Sequence, residues 1–219
     1  MKIAIIGAGF FGLTAGLFLS KKHKVEVFEK NKVILNGASS ANQFRFHLGY
    51  HYPRSQKTVK EINKSKNLFV SYYGKPIFGK TSNYYLVAKD SKVKFDRYKK
   101  FLKKNRLFFK VIKYFLKNDI IENSILSNEK ILDYFKFKKI IFKKIQKSNL
   151  TLKFQQEFKK KDLVNYDKVI ITTYSNNNFV LKNLGIKRLD EFKFELVEKI
   201  LIKLPEKFKK KSYVVVDGN

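Results

Sequence analysis

The chain has 219 residues, 44% of them hydrophobic and 16% aromatic, a composition that builds one or two globular domains with a sizeable core and argues against a disordered protein. It contains no cysteine, which excludes disulfides, thiolate metal sites and cysteine nucleophiles. The formal charge of +30 would point to nucleic acid or an anionic membrane, but it comes from 43 lysines and only five arginines in a chain also rich in Asn, Ile, Phe and Tyr.

That joint bias is what adenine- and thymine-rich coding produces at permissive surface positions. Runs such as Lys159-Lys160-Lys161 and Lys209-Lys210-Lys211 then read as solvated faces. A basic surface for RNA, DNA or acidic lipid is the rival reading, and no specific nucleic-acid partner is expected. No apolar run approaches the roughly 18 residues of a membrane helix, and the start of the chain is unlike a signal peptide. No membrane span and a cytoplasmic location are the expectations.

The stretch Lys2 to Glu29 reads as strand, glycine turn, helix, strand. Ile3-Ala4-Ile5-Ile6 is β-forming, Gly7-Ala8-Gly9-Phe10-Phe11-Gly12 follows, Leu13 to Ser20 is apolar, and Val25-Glu26-Val27-Phe28-Glu29 closes the unit. Gly7 permits the tight turn, Gly9 lets a pyrophosphate approach the backbone, and Gly12 lets helix and strand pack closely. The helix N-terminus offers N–H groups and the positive end of a dipole. Glu29 ends the second strand, where a carboxylate can accept from a ribose diol. Together these predict a bound adenine dinucleotide.

Residues 31 to 43 are irregular and carry the small polar run Gly37-Ala38-Ser39-Ser40-Ala41-Asn42. Such side chains can close over a phosphate or a planar ring, or simply form a polar loop. Two of the three histidines and two of the five arginines then crowd into residues 44–55, as Arg45, His47, His51 and Arg54. His47 and His51 are four apart, but Gly49 and Pro53 oppose a helix and no third ligand is near, so no metal is expected. The segment is either an aromatic hydrogen-bonded cluster or a pocket in which imidazole titrates near neutrality and Arg clamps a carboxylate.

The glycine unit, Glu29, the Gly-Ala-Ser-Ser-x-Asn loop and the stretch from Asn42 to Tyr52 together resemble the FAD-dependent oxidoreductases of the D-amino-acid oxidase and glycine oxidase superfamily. The His-x-Gly-x-x-Tyr part, His47 to Tyr52, looks most like the branch containing 2-hydroxyglutarate dehydrogenases. The resemblance implies that FAD is the cofactor, that Ser39, Ser40 and Asn42 lie along its pyrophosphate and flavin, and that His47 and Gly49 run beside the isoalloxazine. It implies oxidation of a small-molecule amino or hydroxy acid by hydride transfer to flavin, with Arg45, Tyr50 and His51 as substrate contacts and His47 as proton acceptor or packing group. Gln43-Phe44-Arg45 stands where relatives commonly carry smaller residues. The alternative is a truncated, catalytically silent nucleotide-binding module with a basic polyanion-binding surface.

Ser55 is positioned to cap a helix running to about Asn67. Residues 75 to 89 turn to strands, and a helical patch follows from Asp96 to Lys104. Ile131, Tyr134, Phe137, Ile141 and Ile145 recur at three- or four-residue steps, predicting an amphipathic helix from Asn128 to Lys147. Leu150 to Phe154 alternate as a strand. Val169-Ile170-Ile171-Thr172-Thr173 reads as a parallel strand opening at a ligand crevice, where the resemblance expects Thr-Gly and this chain has Thr173-Tyr174. Phe192, Phe194, Leu196, Ile200, Ile202 and Leu204 share one parity and predict a long strand, with Glu198 on its apolar face either paired with a lysine or lining a cavity. Tyr213 to Asn219 begins another.

The expected class is α/β (α+β): a Rossmann-like FAD-binding domain, residues 1–67 and 126–185, with an inserted, incomplete antiparallel-sheet substrate domain, residues 68–125 and 186–219. The enzymes it resembles continue well past this point, so the expectation is a C-terminally truncated chain. The expected FAD contacts are Gly7, Gly9, Gly12, Glu29, Ser39, Ser40, Asn42, Thr172 and Thr173.

Overall fold

The computed structural model describes residues 1–113, 120–187, 191–200 and 202–217; the remainder, all within ranges expected to form the substrate domain, lie outside the described residues, as do the last two residues of the strand expected from Tyr213 to Asn219. In chain order the first elements are β1 (Lys2–Ile6), α1 (Phe10–Leu19), β2 (Lys24–Glu29), β3 (Arg45–Phe46), α2 (Gln56–Tyr73), β4 (Ser82–Ala88) and α3 (Phe95–Lys104). There follow β5 (Phe109–Ile112), β6 (Ile121–Ser127), β7 (Lys130–Ile131), α4 (Tyr134–Gln146), β8 (Leu150–Phe154), β9 (Lys168–Ile171), α5 (Asn177–Asn183) and β10 (Lys211–Val216). The chain divides into two compact units, one of residues 1–42 and 138–200, the other of residues 43–137 and 201–219.

The first unit is built on a parallel sheet in the order β8-β2-β1-β9. Chain succession runs from β1 to β2 on one side and places β9 on the other, so the order reverses at β1. A crevice for a ligand forms outside the carboxyl ends of the strands at such a switch point. The strands read as near-continuous Ile/Val runs because both faces are covered; Ala4, Ile5, Val25 and Val27 are fully buried. Helix α1 seats Leu13, Gly16 and Leu17 on this sheet, and each large side chain so buried contributes about 2 kcal/mol.

The second unit has a mixed sheet in the order β10-β4-β6-β5. Strands β4, β6 and β5 are antiparallel neighbours, while β10 joins β4 in parallel. Its core is aromatic: Tyr50, Tyr85 and Tyr98 are fully buried with Ile125 and Leu102. Helix α2 begins where Ser55 accepts from the Thr58 N–H at 3.3 Å, the expected cap, and runs on to Tyr73.

Three sequence expectations fail. Of the strands expected over residues 75 to 89 only β4 forms: Lys75–Ile77 make a single 3-10 turn, and Phe78 makes an isolated bridge to Leu132. The helix expected from Asn128 begins only at Tyr134: Lys130–Ile131 instead form β7, antiparallel to β3, and Asp133 starts the helix by accepting from the Lys136 N–H at 3.1 Å. Ile131 keeps helical spacing with Tyr134 by coincidence, because Asp133 is a capping residue and helices start after such residues. The long strand expected over Phe192 to Leu204 is absent among the described residues. Leu196 is wholly exposed, the rest of the same-parity set is exposed too, and Glu198 lies in solvent and lines no cavity. A period-two pattern becomes a strand only when a neighbour takes its backbone bonds and covers one face.

Candidate functional sites

The glycine turn of the first unit is fastened from three directions. Gly7 adopts φ +103°, the left-handed region that glycine reaches without penalty, and its N–H donates to Phe28 O at 2.8 Å. The Thr172 hydroxyl donates to Ile6 O at 2.9 Å and to Gly7 O at 3.1 Å. Ala8, fully buried, donates its N–H to Glu29 Oε2 at 2.9 Å and accepts from the Leu35 N–H at 2.9 Å. At Gly12 a Cβ would stand 1.9 Å from Gly7 O and 2.6 Å from Thr172 Oγ1, so only glycine brings the helix start this close to the turn.

These residues fit a dinucleotide. The first intrahelical bond of α1 is Leu13 N–H to Gly9 O at 3.0 Å, so the preceding N–H groups point out of the helix start, and the Phe10 N–H goes to Ser39 Oγ at 3.0 Å. Glu29 also accepts, through Oε1, from the Asn31 backbone N–H at 2.9 Å and side-chain amide at 2.8 Å. An ionised carboxylate offers about four lone-pair sites. Three are taken, which leaves one acceptor position on Oε2.

The loop expected to cover a cofactor is wound on itself. Ser40 Oγ donates to Gly37 O at 2.9 Å, and the Asn42 amide reaches Ala38 O at 3.1 Å and Ser39 O at 3.2 Å. A Cβ on Gly9 would meet Ser39 Oγ at 3.3 Å, so loop and turn touch there. Thr173 is engaged with Asn177 Oδ1 through both N–H and hydroxyl at 2.9 Å. Thr172 and Thr173 thus shape the turn and its surroundings with their own hydroxyls. Gly7, Gly9, Gly12, Glu29, Ser39, Ser40, Asn42, Thr172 and Thr173 all lie in this one unit.

Arg45, His47, Tyr50 and His51 lie in the other unit, and the structure separates their roles. The Arg45 side chain is 5% exposed; its guanidinium donates to Asn83 Oδ1 at 3.5 Å, Tyr213 O at 3.4 Å and Ser212 Oγ. Tyr50 is fully buried, stacked on Tyr85, with its hydroxyl donating to Asn128 Oδ1 at 2.6 Å and Phe108 O. Burial, with the Glu129 charge adding to it, pushes the Tyr50 phenol up to about 12 against the Asn128 bond. Arg45 and Tyr50 are therefore enclosed, with the guanidinium and the phenol hydroxyl bonded to neighbouring residues.

His47 and His51 are the accessible members. Their rings lie 5.6 Å apart, with Tyr52 within 5.7 Å of both. Partial burial, followed by the neighbouring His47, holds His51 below the ordinary imidazole range; Arg45 acts the same way and Glu129 opposes it. His47, its side chain 34% exposed, places Nδ1 3.1 Å from Glu129 Oε1.

Glu129 is the residue the sequence reading missed. It is 1% exposed, sits in the turn between β6 and β7, and receives the Tyr85 hydroxyl on Oε2, with Arg45 Nη1 3.9 Å away. Its backbone carbonyl accepts from the Asn83 amide at 2.7 Å. Burial and this carboxylate together raise the Tyr85 phenol. A signal was present: Glu129 lies just before Lys130-Ile131-Leu132-Asp133, where a capping aspartate implies a break ahead of the helix.

The parallel sheet, the glycine turn at its switch point and the buried carboxylate at the end of β2 define an α/β protein of the dinucleotide-binding class. The chain belongs to the DAO family, the FAD dependent oxidoreductases, whose profile matches residues 2–142. FAD is that family's cofactor. Among curated proteins it is 33% identical over 101 residues to an FAD-dependent monooxygenase of Fusarium mangiferae, covering 44% of this chain and 27% of that protein. It is 34% identical over 74 residues to an FAD-dependent monooxygenase of Aspergillus flavus, covering 33% of this chain and 17% of that one. The chain thus spans about a quarter or less of the curated relatives it matches.

Solved structures agree on the fold. Glycine oxidase from Geobacillus kaustophilus superimposes with a TM-score of 0.64 at 14% identity, over 84% of this chain and 58% of that one. L-proline dehydrogenase from P. horikoshii gives 0.62 at 18% identity, over 85% and 56%. L-α-glycerophosphate oxidase from Mycoplasma pneumoniae, solved with FAD bound, gives 0.56 at 18% identity, over 71% and 45%. The family match does not favour the alternative of a catalytically silent nucleotide-binding module with a basic polyanion-binding surface. Among the described residues no helix is long and apolar enough to cross a membrane.

Proposed function

We propose that the protein carrying this chain oxidises a small amino or hydroxy acid, with FAD taking the hydride. The observation that carries the reading is the glycine turn: closed by Thr172, tied to Glu29, and leaving one carboxylate lone pair for a ribose hydroxyl. Gly7, Gly9, Gly12, Glu29, Ser39, Ser40 and Asn42 would hold FAD, with Thr172 and Thr173 keeping the turn in shape. Residues 1–67 and 126–185 would serve the cofactor, and residues 68–125 and 186–219 the substrate. When bound, FAD supplies a two-electron acceptor in its isoalloxazine ring.

His47 would take the proton that the substrate hydroxyl or amine gives up, and His51 would contact the substrate's polar end. Arg45 and Tyr50 contribute by fixing the backbone on either side of His47. The test begins with the visible spectrum of the purified chain after incubation with FAD, the flavin being identified after denaturation. A yellow protein that bleaches anaerobically with a 2-hydroxy or 2-amino acid supports the reading. A protein that takes up no FAD sinks it.

The names of the fungal relatives support a second reading, monooxygenation. Substrate turnover under 18O2 separates the two, because only a monooxygenase puts one labelled atom into product.

A further inference from the structure

The Glu129 carboxylate is buried in the second unit among a hydroxyl, a guanidinium and an imidazole nitrogen. Tyr85 brings a hydroxyl, Arg45 a guanidinium at 3.9 Å, and His47 a ring nitrogen at 3.1 Å. Tyr85 and Arg45 both direct hydrogens at the carboxylate, which casts it as an acceptor, and an accepting carboxylate calls for the hydrogen to sit on the His47 nitrogen that faces it. In a neutral imidazole the other nitrogen then holds the lone pair. The His47 side chain is 34% exposed while Glu129 is closed off, so the imidazole is accessible only away from the carboxylate.

We propose that Glu129 is a positioning residue that holds His47 as the Nδ1–H tautomer and so fixes Nε2 as the nitrogen able to take a proton from substrate. The carboxylate acts on His47 alone and has no access to substrate itself, being 1% exposed. Arg45 and Tyr85 hold the carboxylate in turn, which gives a purpose to an arginine buried beside an accessible histidine. In the proton step the substrate O–H or N–H bond breaks and an N–H bond forms at Nε2. The electron pair left on oxygen or nitrogen closes the C=O or C=N double bond as the hydride leaves the adjacent carbon for the family's flavin. The proton step rests on the function proposed above; the tautomer does not.

The decisive measurement is the 15N–1H spectrum of the imidazoles in the wild-type chain without FAD, near pH 8.5, where an imidazole is neutral. His47 is assigned by the loss of its signals in His47→Gln. A hydrogen bond to a charged acceptor favours Nδ1–H over Nε2–H by about ten- to a hundredfold. In Glu129→Gln that preference falls by about fivefold or more, since a neutral acceptor is the weaker one.

An Nε2–H tautomer in the wild-type chain, or an unchanged preference in a folded Glu129→Gln, overturns the proposal. Should Glu129→Gln fail to fold, the wild-type tautomer decides, together with Tyr85→Phe, which removes one donor from the carboxylate and should leave the His47 tautomer as it was. Absence of FAD uptake would defeat the proposed function and leave this result untouched.

Discussion

The glycine turn of the first unit and the histidine cluster of the second are built in opposite ways. The turn is made mostly of backbone: Gly7, Ala8 and Gly12 contribute no side-chain polar atoms, and local chain plus Thr172, just past β9, close it. The cluster is made of side chains. Arg45, His47, Tyr85 and Glu129 come together from separate strands and a turn, with Ser212 and Tyr213 from the far end of the chain. A backbone site tolerates little change in shape and much in decoration, whereas a side-chain site depends on the chemistry of each member.

The largest effect should come from the shape-critical position. Gly12→Val puts carbon where Gly7 O already stands, 1.9 Å from the ideal Cβ, and backbone cannot step aside as a flexible side chain would. A loss of about 3 kcal/mol and of all FAD uptake is expected, read by thermal melting and by the absorbance of bound flavin. A Gly12→Val protein that still binds FAD at wild-type strength would mean that the turn is softer than its geometry. Next in size is Glu29→Gln, which keeps volume but sets an amide NH2 against one of the three donors now bonded to the carboxylate. It should cost about 2 kcal/mol and weaken FAD binding about tenfold, measured by titration of the flavin.

This difference in construction also explains what could be read in advance. The turn was legible because glycine spacing and the acid at the end of β2 are local patterns with a fixed backbone meaning. The apolar run of β9 marked it as a parallel strand, whereas the order β8-β2-β1-β9 appears only in the folded chain. The cluster was half legible: His47 and His51 stood out by their crowding, yet Glu129 was hidden in a lysine-rich stretch that happens to keep helical spacing with Ile131. Its significance lies in contacts with Arg45 and His47, more than eighty residues away. The segment from Phe192 to Leu204 shows the reverse error, since a clear strand period is only half of a strand when nothing described here pairs with it.

Within the second unit, Tyr50→Phe separates bracing from substrate contact. The variant keeps the ring stacked on Tyr85 and deletes the hydroxyl that donates to Asn128 and Phe108. Two buried acceptors lose a donor, which should lower stability by about 1 to 2 kcal/mol. The KM for any substrate should stay unchanged, because Tyr50 is fully buried. A raised KM with unaltered melting would reverse the assignment and return Tyr50 to the substrate.

The smallest effect belongs to His51, and it shows as a pH dependence. Burial and the neighbouring His47 hold its pKa below the ordinary value of 6.5. The unfolded chain therefore binds the proton more readily than the folded one. Above about pH 6.5 both states are neutral at this position and nothing is lost. As the pH falls from there toward the lowered folded value, stability declines, and below that value the loss levels off. Because the His51 ring is substantially exposed, solvent screening keeps the total under about 1 kcal/mol. His51→Asn should flatten this part of the stability curve, recorded as chemical denaturation midpoints from pH 5 to 8. A slope that survives the substitution would show that His51 is not the source of the pH response.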